Sequence, residues 1–266
     1  VIDKVEALVR EVAASVVLPR FRQLAEHEIH EKGPGDLVTI ADRESEALLT
    51  TGLLALRPGS RVVGEEATSA DPSLLAMVGG PGEVWLVDPV DGTANFASGK
   101  EPFAVMVALV RDGVTVACCI LNPVSGVAAV AERGAGAYIG GERVTAPTTP
   151  RPPERLRGPA TGRYTPEAVR KGMRASAIGE VMAGHNCAGY EYPALLLDRQ
   201  QFVFFWRTLP WDHAPGVLLV EEAGGVAWRL DGTPYIPGDL RTGLLVAQNQ
   251  SVWDDVRTAL FPPEIQ

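Results

Sequence analysis

Cysteine is scarce in this chain. Only Cys118, Cys119 and Cys187 occur in 266 residues, too few for a disulfide framework, and strand neighbours such as Cys118 and Cys119 point to opposite faces, poorly placed to pair. The expectation is a reducing, cytoplasmic setting. Positive charge is also in short supply. With 24 Lys and Arg against 33 Asp and Glu the formal net charge is −9, and no basic stripe is present, which argues against a nucleic-acid backbone as main partner. No apolar run reaches the length of a membrane span and no secretory signal pattern opens the sequence, so no membrane partner is expected. Apolar residues, by contrast, make up 46%, enough for a substantial interior and too many for intrinsic disorder. This length suits one large domain or two smaller ones sharing a core.

The most informative stretch is Glu83-Val-Trp-Leu-Val-Asp88-Pro89-Val90-Asp91-Gly92-Thr93-Ala-Asn-Phe96. Its first half reads as a short buried strand that breaks at Asp88-Pro89 and turns through Asp91-Gly92. Two carboxylates three positions apart at the end of a buried strand repel each other unless a cation or protons relieve them. Such hard oxygen ligands suit Mg²⁺ or Ca²⁺. A helix beginning near Gly92-Thr93 would present free N–H groups to an anion. A site for both cations and an anion is a site for phosphate chemistry. The plainer alternative is a strand followed by an ordinary Asp-Gly turn.

Before this stretch, Ile2 to Ala25 has the spacing of an amphipathic helix, kinked or split at Pro19. In Glu26-His-Glu-Ile-His-Glu31 the histidines are three apart, not four as a helical zinc motif requires, and the segment reads as a solvated helix end. Asp36-Leu-Val-Thr39-Ile-Ala-Asp42 predicts an extended entry followed by a helix carrying Ala47, Leu48, Leu54 and Leu56, with Asp42 as its N-cap. Arg61-Val-Val-Gly64-Glu65-Glu66 is a strand ending in paired acids, by itself an exposed acidic loop. Ala67 to Gly82 is a loop with a short helix.

After it, Phe103–Val110 and Val114–Leu121 are joined by Arg111-Asp112-Gly113, a hairpin signal, and Val127–Glu132 and Ala137–Ile139 continue the pattern. Successive hairpins predict a mainly antiparallel sheet. Thr145 to Pro159 carries five prolines and is the best linker candidate. The expected division is an N-terminal half over 1–147, a Pro-rich linker over 148–160 and a C-terminal half over 161–266. Pro166–Ala177 is a candidate helix. Gln201–Trp206 is an apolar strand, followed by Trp211-Asp212-His213-Ala-Pro-Gly216, where Asp212 again fits an N-cap before the helix Val217–Ala223. Strands at Val226–Leu230 and Leu244–Ala247 and a helix over Ser251–Leu260 close the chain.

Asp88-Pro-Val-Asp-Gly-Thr-Ala-Asn-Phe96 resembles the DP[IV]DGTxNF signature of the inositol monophosphatase family of Mg²⁺-dependent, lithium-sensitive phosphatases. Asp36–Asp42 is similar to that family's DLVTxAD element, Gly64-Glu65-Glu66 to its GEE element, and Trp211–Gly216 to its WDxAxG element. Together they span roughly Asp36 to Ala247. The resemblance implies an α/β fold, an alternating helix–sheet sandwich. It implies that Glu65, Asp88, Asp91, Asp212 and the Val90 carbonyl hold roughly two or three Mg²⁺ ions, a number usual for such sites. Asp42 would bond Thr93 and help polarise the attacking water, and Glu66 would support a metal-bound water. Backbone N–H groups of Gly92 and Thr93 would hold phosphate oxygens. Lys32 resembles the basic residue upstream of the DLVTxAD element. Ala188 and Gly189 match a small-residue segment that opens a helix near the substrate.

The implied activity is hydrolysis of a small phosphate ester by a metal-activated water, in a homodimer. Inositol-phosphate-like esters, sugar phosphates and histidinol phosphate are the candidate substrates. The alternatives are a bisphosphate nucleotidase of the same fold and a non-catalytic metal-binding interaction protein. Two departures bear on substrate. Phe205 stands where some inositol-cleaving relatives carry a polyol-binding Glu. Glu191, between Tyr190 and Tyr192, is a candidate partner for a cationic leaving group such as the amine of histidinol phosphate.

Overall fold

The computed structural model describes residues 1–33, 35–162, 164–173 and 178–261. Helix α1 (Ile2–Val12) continues through a π-helical turn (Ala13–Val17) into the short α2 (Leu18–Arg20). The helix thus ends at Arg20, short of Ala25, and Pro19 does not break it. The wider turn just before Pro19 relieves the clash between its ring and the carbonyl four residues back. A 3₁₀ turn (Glu26–Glu28) then leads into β1 (Ile29–Gly33), which pairs antiparallel with β2 (Asp36–Thr39). His27 and His30 therefore lie on a turn and a strand, not on a helix end.

Helix α3 (Ile40–Leu56) follows, with Thr39 as its N-cap. Asp42 is at the third helical position, where its Oδ2 accepts from the Thr39 backbone N–H at 2.8 Å and the Thr39 hydroxyl at 2.5 Å. It is thus the reciprocal half of a capping box, not the cap. The helix buries Ala41, Ser45, Leu49 and Leu53, while Leu48 and Leu54 are exposed. The helix is where the sequence predicts it, but the leucine pairs 48–49 and 53–54 left its inward face ambiguous.

Strand β3 (Arg61–Gly64), helix α4 (Glu65–Ala70) and strand β4 (Glu83–Asp91) come next, then α5 (Thr93–Ala97). Strands β5 (Ala104–Arg111), β6 (Val114–Leu121), β7 (Ala128–Glu132), β8 (Gly136–Ile139) and β9 (Glu142–Val144) complete a seven-stranded sheet of order β3-β4-β5-β6-β7-β8-β9. Every pairing is antiparallel except β3 with β4.

The Pro-rich stretch ends as strand β10 (Arg157–Thr161), because Leu156 and Ala160 are fully buried, and α6 (Glu167–Gly172) and β11 (Glu180–Ala183) follow. Residues 174–177 of the candidate helix lie outside the described residues. Then come α7 (Ala188–Leu196), β12 (Phe202–Phe205), α8 (Pro210–Glu222), β13 (Val226–Arg229), β14 (Leu244–Ala247) and α9 (Gln250–Leu260). Strands β12, β14 and β13 form an antiparallel sheet in that order. Asp212 is the third residue of α8, whose N-cap is Leu209.

Strand alternation sorts the core into layers. Trp85, Val87, Val105, Val107 and Cys119 join α1 and α3 on one face of the large sheet, and Leu86, Met106, Cys118 and Ile120 meet α7 and α8 on the other. The three-stranded sheet gives Val203, Leu244 and Val246 to the same helices and Phe202, Phe204 and Leu245 to α9. The order is helices, sheet, helices, sheet, helix. Among the described residues no helix is long and apolar enough to cross a membrane.

Candidate active site

The site forms where β4 loses its regular register. Asp88 pairs with Met106 and Asp91 with Ala104, three steps on β4 against two on β5, which marks a bulge. In a regular strand, residues three apart face opposite ways. The bulge turns Val90 to the α1/α3 side and brings Asp91 back to the side of Asp88. Strand β4 therefore runs through Pro89 instead of breaking there. Its pairing with β3 stops at Val87, so the missing Pro89 N–H leaves no ladder bond unmade. Gly92 caps α5 with φ +85°, and a Cβ there would sit 3.0 Å from the Pro102 carbonyl oxygen, so only glycine makes this turn without strain.

Three elements supply the acids. Glu65 at the start of α4, Asp88 on β4 and Asp212 in the first turn of α8 each bring a carboxylate oxygen within 4.8 Å of the others. Burial pushes the Asp88 and Asp212 carboxyls well above the usual range, and the charges of Glu65 and Asp91 add to it, while Arg207 opposes the shift at Asp212. Asp91 is pushed up to about 6 by burial, against the hydrogen bond that its Oδ2 accepts from Gly189 N–H at 2.6 Å. Carboxylates held this close and this dry favour either protons or a divalent cation. All donors are hard oxygens, and the nearby Cys187 thiol is turned to the Asp91 carbonyl at 3.7 Å. The set fits Mg²⁺ and not a soft metal. Val90, carried over as a carbonyl ligand, directs that oxygen to the Thr93 hydroxyl at 2.9 Å.

Thr93 Oγ1 also lies 3.1 Å from Asp42 Oδ1. Asp42 is fully buried, and burial pushes it up to about 7 against the bonds from Thr39. Lys32 Nζ bridges Glu65 Oε1 and Glu66 Oε1, both at 2.7 Å. The β1–β2 hairpin thereby delivers a cation to the acidic pair, and burial pushes Glu66 up against it.

Sequence reading missed Glu46. It lies one turn beyond Asp42 on the same face of α3 and is buried, and its oxygens accept from Glu66 N–H at 2.7 Å and Ala67 N–H at 2.8 Å. It closes the start of α4, the role a capping acid plays. Gly64 is needed beneath it, since a Cβ there would meet the Glu46 carboxyl carbon at 2.3 Å. The i, i+4 pair Asp42/Glu46 is the signal that could have found it.

A cavity of about 530 Å³ opens over these groups, lined also by Ala188, Phe205, Trp206, Arg170 and Arg207. The Phe205 ring is 5.3 Å from Tyr192 and 4.6 Å from His213. His213 is buried; its Nε2 donates to the Arg207 carbonyl at 3.0 Å, so Nδ1 accepts from the Tyr192 hydroxyl at 2.9 Å, and burial pushes its pKa down to about 3.

Glu191 requires a correction. Its Oε1 accepts from His185 N–H at 2.7 Å and faces His185 Nδ1 at 3.0 Å, and its Oε2 accepts from Gln200 Nε2 at 2.9 Å. Buried and accepting at both oxygens, it braces the segment before α7 and is not a free carboxylate held out to a leaving group.

The family model for the inositol monophosphatase family matches residues 1–266. An inositol-1-monophosphatase of Rhizobium meliloti is 30% identical over 257 residues, covering 91% of this chain and 90% of its own. A fructose-1,6-bisphosphatase/inositol-1-monophosphatase of Thermotoga maritima is 26% identical, covering 74% of this chain and 73% of its own. The Nus factor SuhB of Pseudomonas aeruginosa is also 26% identical, covering 94% and 92%. Among solved structures, a Thermotoga maritima IMPase superposes with TM-score 0.80 at 23% identity, over 96% of this chain and 95% of that one. A staphylococcal IMPase-II with bound inositol monophosphate gives 0.77 at 22% identity, over 97% and 94%. On the full-length match and the shared sandwich of alternating helices and sheets, the chain belongs to the inositol monophosphatase family.

Proposed function

We propose that this chain is a Mg²⁺-dependent phosphomonoesterase that hydrolyses a small phosphate ester by direct attack of water on phosphorus. The observation that carries the reading is the convergence of Glu65, Asp88 and Asp212 beside the Asp42–Thr93 pair. Glu65, Asp88, Asp91 and Asp212 would hold the ions, with the Val90 carbonyl. Bound Mg²⁺ supplies charge for the phosphoryl and leaving oxygens and a lowered pKa for water.

The chain's own groups do the rest. A threonine hydroxyl has one proton and two lone pairs. With its proton given to Asp42, Thr93 Oγ1 is an acceptor that fixes the orientation of a water. Asp42, pushed up to about 7, is suited to share a proton near neutral pH. Glu66, held by Lys32, supports the same water. Gly92 and Thr93 N–H groups have no acceptor within α5 and are available to phosphate oxygens. Ala188 and Phe205 face the leaving group. No aspartyl nucleophile is needed, since each aspartate here is already a ligand or an orienting group. A cytoplasmic homodimer belongs to the same reading.

Phe205 cannot accept hydrogen bonds from hydroxyls, and buried donors without partners cost about 1–3 kcal/mol each. Inositol 1-phosphate is therefore expected to fall about ten- to a hundredfold below the preferred ester in kcat/KM. A second reading, a binding protein without turnover, draws on the relatives named Nus factor SuhB. Phosphate release with Mg²⁺ over a panel of inositol 1-phosphate, fructose 1,6-bisphosphate, histidinol phosphate and adenosine 3′,5′-bisphosphate decides between them. Release from at least one supports the enzyme, and none from any supports the binding protein.

A further inference from the structure

Two guanidinium groups line the cavity without a direct ion pair. Arg170 of α6 and Arg207 after β12 both line it. Among the described residues neither forms a direct salt bridge, though the charge of Arg207 is felt at Asp212. Arg207 is half-buried and Arg170 exposed.

Arg207 is held in place from both ends. Its carbonyl accepts from His213 Nε2 at 3.0 Å, and its guanidinium lies 3.7 Å from the centroid of the Tyr164 ring. A guanidinium seated on an aromatic face keeps its in-plane N–H groups for a planar anion and loses little freedom when it binds one.

The acids of the cavity are otherwise engaged. Glu65, Asp88 and Asp212 form the acidic cluster, Asp91 Oδ2 accepts from Gly189 N–H, and each Glu191 oxygen accepts a hydrogen bond. Asp36 sits opposite Gly33 on the hairpin that carries Lys32 to Glu65, and so belongs to the acidic side. Away from that cluster, Arg207 and Arg170 put positive charge on the cavity wall.

From these observations we infer that the alcohol half of the substrate carries a second anionic group, phosphate or carboxylate, received by Arg207 and Arg170 while the scissile phosphoryl group sits at the acidic cluster. The inference rests on the phosphomonoesterase reading and names its substrate class. In the reaction a water oxygen forms a bond to phosphorus, the ester P–O bond breaks, and the leaving oxygen takes up a proton. The products are inorganic phosphate and an alcohol that still bears the second anion. A cationic leaving group would meet two like charges, which places histidinol phosphate at a disadvantage.

The test uses matched pairs with full-length protein and Mg²⁺: fructose 1,6-bisphosphate against fructose 1-phosphate for a second phosphate, and 3-phosphoglycerate against glycerol 3-phosphate for a carboxylate. The expected result is a kcat/KM at least about tenfold higher for the doubly anionic member of one pair, the scale of a charge-assisted hydrogen bond. The pair that shows it identifies the anion. Arg207→Gln and, separately, the exposed Arg170→Gln should each reduce that ratio, and added salt should compress it. Arg207→Lys should restore it only in part, because the planar fork is lost. Ratios near one in both pairs overturn the inference while leaving the phosphatase reading intact. So does an equal loss for both members in the variants, which would place the arginines at the scissile phosphate. No release from any ester removes the phosphatase reading itself.

Discussion

One hydroxyl proton decides what Thr93 can do. Its Oγ1 has two acceptors in reach, Asp42 Oδ1 at 3.1 Å and the Val90 carbonyl at 2.9 Å, and can donate to only one at a time. Thr93→Ala is expected to lower kcat by about a hundredfold or more with little change in KM, the usual scale of a general acid–base contribution. A residue that merely finishes the turn before α5 would instead lower the melting temperature and leave turnover near normal. Steady-state kinetics beside a melting curve separates the two. At this scale the site was partly legible. Glu65, Asp88, Asp91, Thr93 and Asp212 sit in short unusual motifs whose chemistry is local. Glu191 misled because its donors, His185 and Gln200, come from segments that only the fold brings together, and a carboxylate between two tyrosines looks free on paper. Arg207 drew no attention because nothing in the sequence shows that it lines the cavity without a direct ion pair.

At the scale of elements, the N-terminus of α4 is the sensitive point. Its Glu65 and Glu66 are aimed by a helix of six residues, too short to hold itself, and Glu46 closes its first turn with two hydrogen bonds from Glu66 and Ala67. Glu46→Ala is expected to cost about 1–3 kcal/mol, the penalty for unpaired buried donors, and to raise the Mg²⁺ concentration for half-maximal phosphate release. Glu46→Gln, which still accepts from at least one N–H, should recover part of both. A drop in melting temperature with no change in the Mg²⁺ requirement would reduce Glu46 to a purely structural cap. Element order was largely readable in advance, because the hairpin signals and apolar runs are strong. The faces and ends were less so. Leu48 and Leu54 compete with Leu49 and Leu53 for the inward face of α3, and the first helix stops at Arg20 because the backbone turns extended at Phe21. The β4 bulge, on which the joint presentation of Asp88 and Asp91 depends, has no signature beyond Pro89.

At the scale of the molecule, the buried acids couple stability to pH and to metal. Folding raises Asp42 from 3.8 to about 7, Glu46 from 4.5 to about 7 and Asp91 from 3.8 to about 6. Between those ordinary values and about 7 the folded chain holds protons that the unfolded chain releases, so these groups make the metal-free protein less stable as pH rises through that window. His213 acts in the opposite sense. Lowered from 6.5 to about 3, it contributes stability above 6.5 that is lost as pH falls toward 3. Comparing melting temperatures with and without Mg²⁺ at the same pH cancels the His213 contribution. The stabilisation by Mg²⁺ should grow from about pH 5 to about pH 7.5, because the ion displaces protons from its ligands. A Mg²⁺ stabilisation independent of pH would contradict the assignment of Asp91 to the ion site.

The central claim is that the acidic cluster holds the ions on which hydrolysis depends. Its most direct measurement is phosphate release from the best ester of the panel, followed in Mg²⁺ and in excess chelator for the wild type and Asp91→Asn. Asparagine keeps an oxygen for the Gly189 N–H, now at 2.6 Å from Asp91 Oδ2, and removes only the charge. The account predicts release by the wild type in Mg²⁺, none in chelator, and none by Asp91→Asn with its melting curve near that of the metal-free wild type. Undiminished release in chelator, or wild-type turnover by Asp91→Asn, would contradict it.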